Sequence, residues 1–119
     1  MARVIAAARD LSSHEAASFH AQQAVEKALK ALLTRHRVEF RKTHDLGELR
    51  DLAESAVPGV SAALAGVEVL TPHAVETRYV LEEMPVTPEE AARHVEMASR
   101  AVDRVRSLLR EYLGAGPPA

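Results

Sequence analysis

The stretch that decides the fold is Phe19-His20-Ala21-Gln22-Gln23-Ala24-Val25-Glu26-Lys27-Ala28-Leu29-Lys30. Its alanines, valine and leucine recur every three or four positions, with polar side chains between them, and this is the period of an amphipathic helix. The pattern predicts a helix from about His14 to His36, whose alanine-rich side packs closely against neighbouring helices. We predict that the opposite side is polar and comprises Phe19, Gln22, Gln23, Glu26 and Lys30.

The composition around this stretch favours one all-α domain. The chain has 119 residues, of which 47% are hydrophobic, 27% charged and only 3% aromatic, and good helix formers dominate it. The absence of cysteine excludes disulfides, cysteine-based zinc sites and thiol nucleophiles. A formal net charge of −2 gives no global attraction to nucleic acid, so any such affinity needs a local basic patch.

Capping signals divide the rest of the chain into helices. Asp45 and Thr87 each precede a glutamate by three residues, which predicts helix starts at both positions. We expect a fourth segment from Val60 to about Tyr79, in which either the helix bends at Pro72 or two helices meet near Thr71. The last helix shows a seam of steps of three and four residues, formed by Ala91, Val95, Ala98, Val102, Val105, Leu109 and Tyr112.

These elements predict an up-and-down helical bundle of four to five helices. The predicted domain spans residues 1–113, begins with a short helix from about Ala2 to Leu11, and ends in a flexible tail over residues 114–119. No apolar run is long enough for a membrane span, and the N-terminus lacks the pattern of a signal peptide, so we expect a cytoplasmic protein. The six histidines show no metal-ligand spacing, and no glycine-rich phosphate loop is present, so we predict neither a metal nor a cofactor.

Three stretches, in their order and separation, resemble the HEPN domain family. The first is Phe19 to Lys30, the second is Lys42-Thr43-His44-Asp45-Leu46, and the third runs from Leu70 to Tyr79. The resemblance implies a helical bundle that forms a homodimer and is often encoded beside a minimal nucleotidyltransferase, frequently as a toxin and antitoxin pair. It also implies that catalytic members are metal-independent ribonucleases. The chain departs from the family where the usual Arg-Tyr-Pro reads Arg78-Tyr79-Val80.

The resemblance implies that active members use an arginine followed, after four to six residues, by a histidine. Arg37 with His44 and Arg9 with His14 have this spacing, but the six histidines and twelve arginines of the chain produce such pairs by chance. We name His44 and Arg37 as the catalytic candidates, because an imidazole exchanges protons near neutral pH and a guanidinium binds phosphate. In the alternative interpretation, His44 braces the start of a short helix and Arg37 is a solvated charge of the basic segment between two helices.

A second group of residues is a candidate for binding nucleotide or phosphate. It consists of Arg78, Tyr79, Arg41, Lys42, Gln23 and Lys27. Arginines and lysines hold phosphate, and a tyrosine at a helix end stacks on a base or donates a hydrogen bond. The polar residues of the second helix line a nucleotide cleft in this interpretation. In the alternative one they form a satisfied network between helices or the rim of a dimer interface.

The sequence therefore predicts a nucleotide- or RNA-binding module that is the partner of a minimal nucleotidyltransferase and has no catalysis of its own. Two alternatives stay open: a metal-independent ribonuclease toxin, and a non-enzymatic helical adaptor. The predicted assembly is a homodimer, since a short chain with an uncovered seam has little core of its own.

Overall fold

A computed structural model of the chain describes residues 13–74 and 86–114. These residues form a helical bundle without strands, which confirms the predicted all-α class. Its elements are helix α1 (Ser13–Arg35), helix α2 (Leu46–Ala56), helix α3 (Val60–Ala63), the 3-10 helix η1 (Val67–Ala74) and helix α4 (Pro88–Gly114). In this part of the chain no helix is long and apolar enough to cross a membrane. The predicted first helix (residues 2–11) lies outside the described residues, as do residues 115–119 of the predicted tail.

Helix α1 is the centre of the bundle, because α4, α2 and η1 all pack against it. Val25, Leu29, Leu32 and Leu33 of α1 are fully buried, and burying apolar side chains of this size is the main favourable term in folding. The other elements complete one core with Leu46, Leu49, Ala53, Val60, Leu64, Val67, Leu70, Ala98, Ala101, Val105 and Leu108.

The predicted division of α1 into an alanine side and a polar side is wrong for three residues. Gln22 is fully buried and Glu26 is 6% exposed, whereas Ala24 lies in solvent. The reason is that α2, η1 and α4 cover α1 from more than one direction, so part of the polar side becomes interior. Such burial requires hydrogen-bond partners for the polar groups.

Both predicted helix starts are confirmed, although they differ in completeness. At α4 the box is reciprocal: the Thr87 backbone N–H donates to Glu90 Oε1, and the Glu90 N–H donates to Thr87 Oγ1, both at 3.1 Å. At α2 the side chain of Asp45 accepts from the Glu48 N–H at 3.1 Å. The carboxylate of Glu48, however, binds Arg41 rather than returning to the backbone, so this box is only half formed.

The segment predicted from Val60 breaks at Gly66 instead of near Thr71 and Pro72, and its predicted end at Tyr79 lies outside the described residues. The chain forms the four-residue helix α3, turns through Gly66 at φ +89°, and continues as η1. A positive φ of this size is accessible to glycine at little cost. Pro72 lies inside η1 without ending it.

The seam of α4 is partly displaced from the predicted one. Ala91, Ala98 and Val105 are buried as predicted. Val95, however, is 48% exposed, and the buried residues that lie between Ala91 and Val105 also include His94 and Ala101. Val95 and Val102 instead line a shallow groove between α1 and α4, about 400 Å³ in volume. This α1–α4 groove is lined by Ala17, His20, Ala21, Ala24, Val95, Ala98, Ser99, Val102, Asp103 and Arg106.

Candidate functional site

A groove rich in cations runs along the C-terminal half of α1. It has a volume of about 760 Å³ and is lined by Lys27, Lys30, Ala31, Thr34, Arg35, Arg37 and Leu109. Four of these side chains are cationic and none is a carboxylate, although the chain as a whole is slightly acidic. We call this surface the basic groove.

The backbone at the end of α1 places Arg37 in the basic groove. The Arg37 N–H donates to the Thr34 carbonyl at 3.1 Å and the Val38 N–H donates to the Leu33 carbonyl at 2.9 Å, which together form a Schellman motif. Arg37 occupies the left-handed position of this motif with φ 58°, where glycine is the usual residue. The connector, residues 36–45, therefore begins with a sharp reversal that presents the Arg37 side chain to solvent.

Glu26 is the centre of a hydrogen-bond network beside the basic groove. Its Oε1 accepts from Gln22 Nε2 at 2.8 Å and from His44 Nδ1 at 2.7 Å, and its Oε2 accepts from Lys30 Nζ at 3.1 Å. Burial alone would raise the pKa of the Glu26 carboxyl, but the hydrogen bonds from Gln22, His44 and Lys30 and the charge of Lys30 bring the net pKa below its ordinary value. Glu26 is therefore an anion at neutral pH that holds two helical turns and the connector together.

The contact with Glu26 sets the orientation of His44. Because an ionised carboxylate only accepts hydrogen bonds, His44 Nδ1 carries a proton in this contact, and the neutral form of the ring therefore has its lone pair on Nε2. The His44 side chain is 57% exposed, whereas the Glu26 side chain is 8% exposed. A buried carboxylate that holds one nitrogen of an exposed imidazole is the arrangement found in acid–base dyads, where it selects the tautomer.

Lys30 links this dyad to the basic groove. Its ammonium group binds Glu26 and also lines the groove, and it lies 5.9 Å from the centre of the Phe40 ring. A cation at this distance from an aromatic face is within the range of a cation–π interaction. Phe40 in turn packs against the core, so the connector between Arg37 and His44 is anchored in its middle as well as at both ends.

The other predicted site residues are distributed unevenly around this surface. Lys27 lines the basic groove, but Gln23 donates its amide to Gln22 Oε1 at 2.6 Å and belongs to the network around Glu26. Arg41 forms a bidentate pair with Glu48, at 2.8 and 2.6 Å, and the hydrogen bond and charge of Glu48 raise the pKa of the Arg41 guanidinium. Lys42 is exposed on the connector. Arg78 and Tyr79, and Arg9 of the alternative pair, lie outside the described residues.

The structure brings two further residues to this surface: Glu26, which the sequence analysis placed among the polar residues of a possible cleft, and Lys30, which it did not name as a site residue. Their pairing one turn apart on α1 was readable from the sequence. The contact of Glu26 with His44 could not be predicted from the sequence, because the two residues are 18 positions apart and meet only when the connector folds back along α1. In the described part of the chain no three histidines, aspartates or glutamates cluster as metal ligands.

The architecture and this surface define a small all-helical domain with an alanine-rich central helix and a basic groove at the end of that helix. The model of the HEPN domain family matches residues 3–108 of the chain, which is most of its length. The chain therefore belongs to the HEPN domain family, as the resemblance of its three motifs predicts. No curated protein and no solved structure matches it.

Proposed function

We propose that this HEPN domain is a binding module for the phosphates of RNA or nucleotides. The observation that carries the proposal is the basic groove, where Lys27, Lys30, Arg35 and Arg37 converge without a carboxylate in the lining. Phosphate contacts by lysine and arginine supply most of the sequence-independent affinity of proteins for nucleic acids. A local patch of this kind is required in a chain whose net charge is −2.

The spacing of the cations along α1 suits a strand rather than a single phosphate. Lys27 and Arg35 are eight residues apart, which corresponds to about 12 Å along a helix, and Arg37 extends the row beyond the helix end. Lysine ammonium groups act as point charges, whereas the guanidinium of Arg37 can bind one phosphate with two hydrogen bonds. We therefore expect about two or three phosphates of a single strand to occupy the groove.

The test is binding of labelled single-stranded RNA, measured by fluorescence anisotropy at several salt concentrations. Each phosphate contact contributes about −0.7 to the slope of log K against log salt, so three contacts give a slope of about −2. Lys27→Ala and Arg37→Ala should each weaken binding several-fold and make the slope shallower by about 0.7. Arg100→Ala, an exposed change on α4 outside the groove, is the matched control and should leave binding unchanged. Binding that is insensitive to salt, or equal loss in the control, would contradict the proposal.

The His44–Glu26 dyad favours a second candidate function, metal-independent cleavage of RNA. His44 Nε2 can accept the proton of a ribose 2′-hydroxyl, whose oxygen then attacks the adjacent phosphorus to form a 2′,3′-cyclic phosphate. The bond from phosphorus to the 5′-oxygen breaks, and the protonated ring returns its proton to that oxygen. We rank binding without cleavage first, since the arginine and histidine spacing that the family resemblance requires is no more frequent here than chance produces. Incubation with RNA in the presence of a chelator separates the two functions: cleavage by the wild type that disappears in His44→Ala would place the ribonuclease first.

We also propose that the chain acts with a minimal nucleotidyltransferase, as the family resemblance implies, in a pair of the toxin and antitoxin type. Co-expression with the product of the adjacent reading frame, followed by size-exclusion chromatography, tests this partnership. If the neighbour lacks nucleotidyltransferase motifs and the chain binds no RNA, the helical adaptor becomes the better interpretation.

A further inference from the structure

A second polar cluster is buried nearer the N-terminus of α1, about two turns before Glu26. Ser18 of α1 is fully buried, His73 of η1 is 5% exposed and His94 of α4 is 8% exposed. The Ser18 hydroxyl and His94 Nδ1 share a hydrogen bond of 2.7 Å. The ring centres of His73 and His94 lie 5.0 Å apart at an interplanar angle of 50°. Three different elements therefore meet at this cluster.

One nitrogen of the cluster has no hydrogen-bond partner among the described residues. His73 Nδ1 is buried without a donor or acceptor against it. A buried polar atom in this state destabilises the folded chain relative to a satisfied one. The cluster is thus unlike the Glu26 network, where both carboxylate oxygens are satisfied, and its stability depends on the histidines staying neutral.

The surroundings of both imidazoles oppose protonation. Burial lowers the pKa of His73, and the charge that His94 would carry lowers it further; Glu90 of α4 and Glu15 of α1 act in the opposite direction without compensating. Burial also lowers the pKa of His94, where Glu90 opposes the shift and Arg93 reinforces it. The Glu90 carboxylate is held by the Thr87 backbone N–H, so it is not positioned as a direct acceptor for either ring.

We propose that Ser18, His73 and His94 form an acid-sensitive latch, which holds η1 against α1 and α4 at neutral pH and releases it when the histidines take up protons. A histidine in an opened segment binds protons with the ordinary pKa of about 6.5, and the latched histidines bind them only at lower pH. Latch stability is therefore complete above about pH 6.5 and falls as the pH drops below it. Below about pH 6.5, protonation of each histidine increases the equilibrium constant for opening of η1 by up to about tenfold for each unit by which the pH falls.

Release of η1 has a structural consequence at α2. Thr71 Oγ1 of η1 accepts the Leu46 backbone N–H at 3.1 Å, and Glu68 of η1 forms an ion pair with Arg50 of α2. An opened η1 removes both contacts from the start of α2, next to His44 and Asp45. The latch is independent of phosphate binding and stands whether or not the basic groove binds RNA.

Hydrogen exchange at about pH 7.5 and pH 5.5, corrected for intrinsic exchange rates, tests the latch in the wild-type chain. We expect protection of the amides in η1 to fall at the lower pH, by up to about tenfold for each of the two histidines, while amides at the centres of α1 and α4 keep theirs. Equal loss in all helices, or no loss in η1, would overturn the proposal.

Two further measurements identify the responsible rings. His73→Phe keeps a ring but removes the titrating nitrogens, so the loss of amide protection in η1 at the lower pH should be smaller by up to about tenfold. His20→Gln, at an exposed histidine, should keep the full loss of protection. If His73→Phe does not fold, nuclear magnetic resonance titration of the wild-type histidines decides. His73 and His94 should then titrate below the ordinary pKa of about 6.5, and ordinary titration of both would reject the latch.

Discussion

Glu26 shows how one buried carboxylate organises a surface that is otherwise cationic. It accepts hydrogen bonds from an amide, an imidazole and an ammonium group, and each donor comes from a different place around α1. A charge-assisted hydrogen bond to an ionised carboxylate contributes more than a neutral one. Removing the charge should therefore loosen the connector as well as α1.

Glu26→Gln tests this organisation with almost no change in volume. The amide has one acceptor oxygen in place of two, so at least one of Lys30, His44 and Gln22 loses its acceptor, at a cost of about 1 to 3 kcal/mol. Urea unfolding at pH 7 measures the loss. Glu39→Gln, at an exposed glutamate of the connector, is the matched control and should change stability by less than about 0.5 kcal/mol.

The same variant has a defined pH dependence. Since the folded-state pKa of Glu26 is below its ordinary value, the stabilisation is complete above the unfolded pKa of about 4.5 and is lost as the pH falls through the folded pKa. The difference between wild type and Glu26→Gln should therefore shrink in acid. A difference that persists after Glu26 is protonated would show that shape, rather than charge, makes Gln unsuitable.

The sequence identified cations that line the basic groove but not the partners that hold other candidate residues, and the binding or catalytic roles of all of them stay predictions. Lys27 and Arg37 line the basic groove because they are cations on one stretch of helix and its exit. Gln23 and Arg41 were predicted to bind phosphate, but Gln22 and Glu48 hold their polar groups. Those partners could not be identified from periodicity, because local side-chain pairing is decided by which neighbours cover the helix.

At the scale of the elements, the end of α1 stores a local strain. Arg37 adopts φ 58° at the left-handed position of the Schellman motif, which costs a residue with a Cβ about 1 to 2 kcal/mol. Glycine avoids this cost but loses more entropy on folding, by about 0.5 to 1 kcal/mol.

Arg37→Gly should therefore stabilise the chain by about 0.5 to 1 kcal/mol, measured by the urea midpoint at constant slope. Arg37→Ala is the matched control, because it removes the same charge but keeps the Cβ, and it should produce no gain. A similar gain from both substitutions would assign the effect to charge instead of backbone. The two variants also separate stability from phosphate binding, which both should weaken.

Helix boundaries were more predictable than helix faces, for a physical reason. Capping depends on neighbouring residues in the chain, so Thr87 and Asp45 marked α4 and α2 correctly. Which side of a helix is buried depends on long-range packing, and α1 buries Gln22 and Glu26 because several elements surround it. The position of the break at Gly66 also depends on long-range packing. Proline is the stronger local signal for a break, but the chain turns at Gly66, where a positive φ is needed.

At the scale of the whole molecule, the α1–α4 groove is an apolar surface that no element within residues 13–74 and 86–114 covers. Its floor consists of alanines and valines, and its rim carries Asp103 and Arg106, one turn apart on α4. Two copies related by a two-fold axis can place each Asp103 opposite the partner's Arg106, which is the self-complementary pattern of a symmetric dimer. The homodimer predicted from the α4 seam thus has a defined candidate interface.

The final prediction is that Val95→Glu converts the protein from a dimer to a monomer. Val95 lies in the groove and is 48% exposed, so a charge there costs little in the monomer but is costly when a second copy covers it. Analytical ultracentrifugation at micromolar concentration should show the wild type at twice the chain mass of 12.9 kDa and the variant at that mass. Val69 on η1 has the same 48% exposure and lies outside the groove lining, so Val69→Glu is the matched control and should stay dimeric. A monomeric wild type would refute the dimer itself, whereas dimers in both variants would move the interface to another face of the bundle.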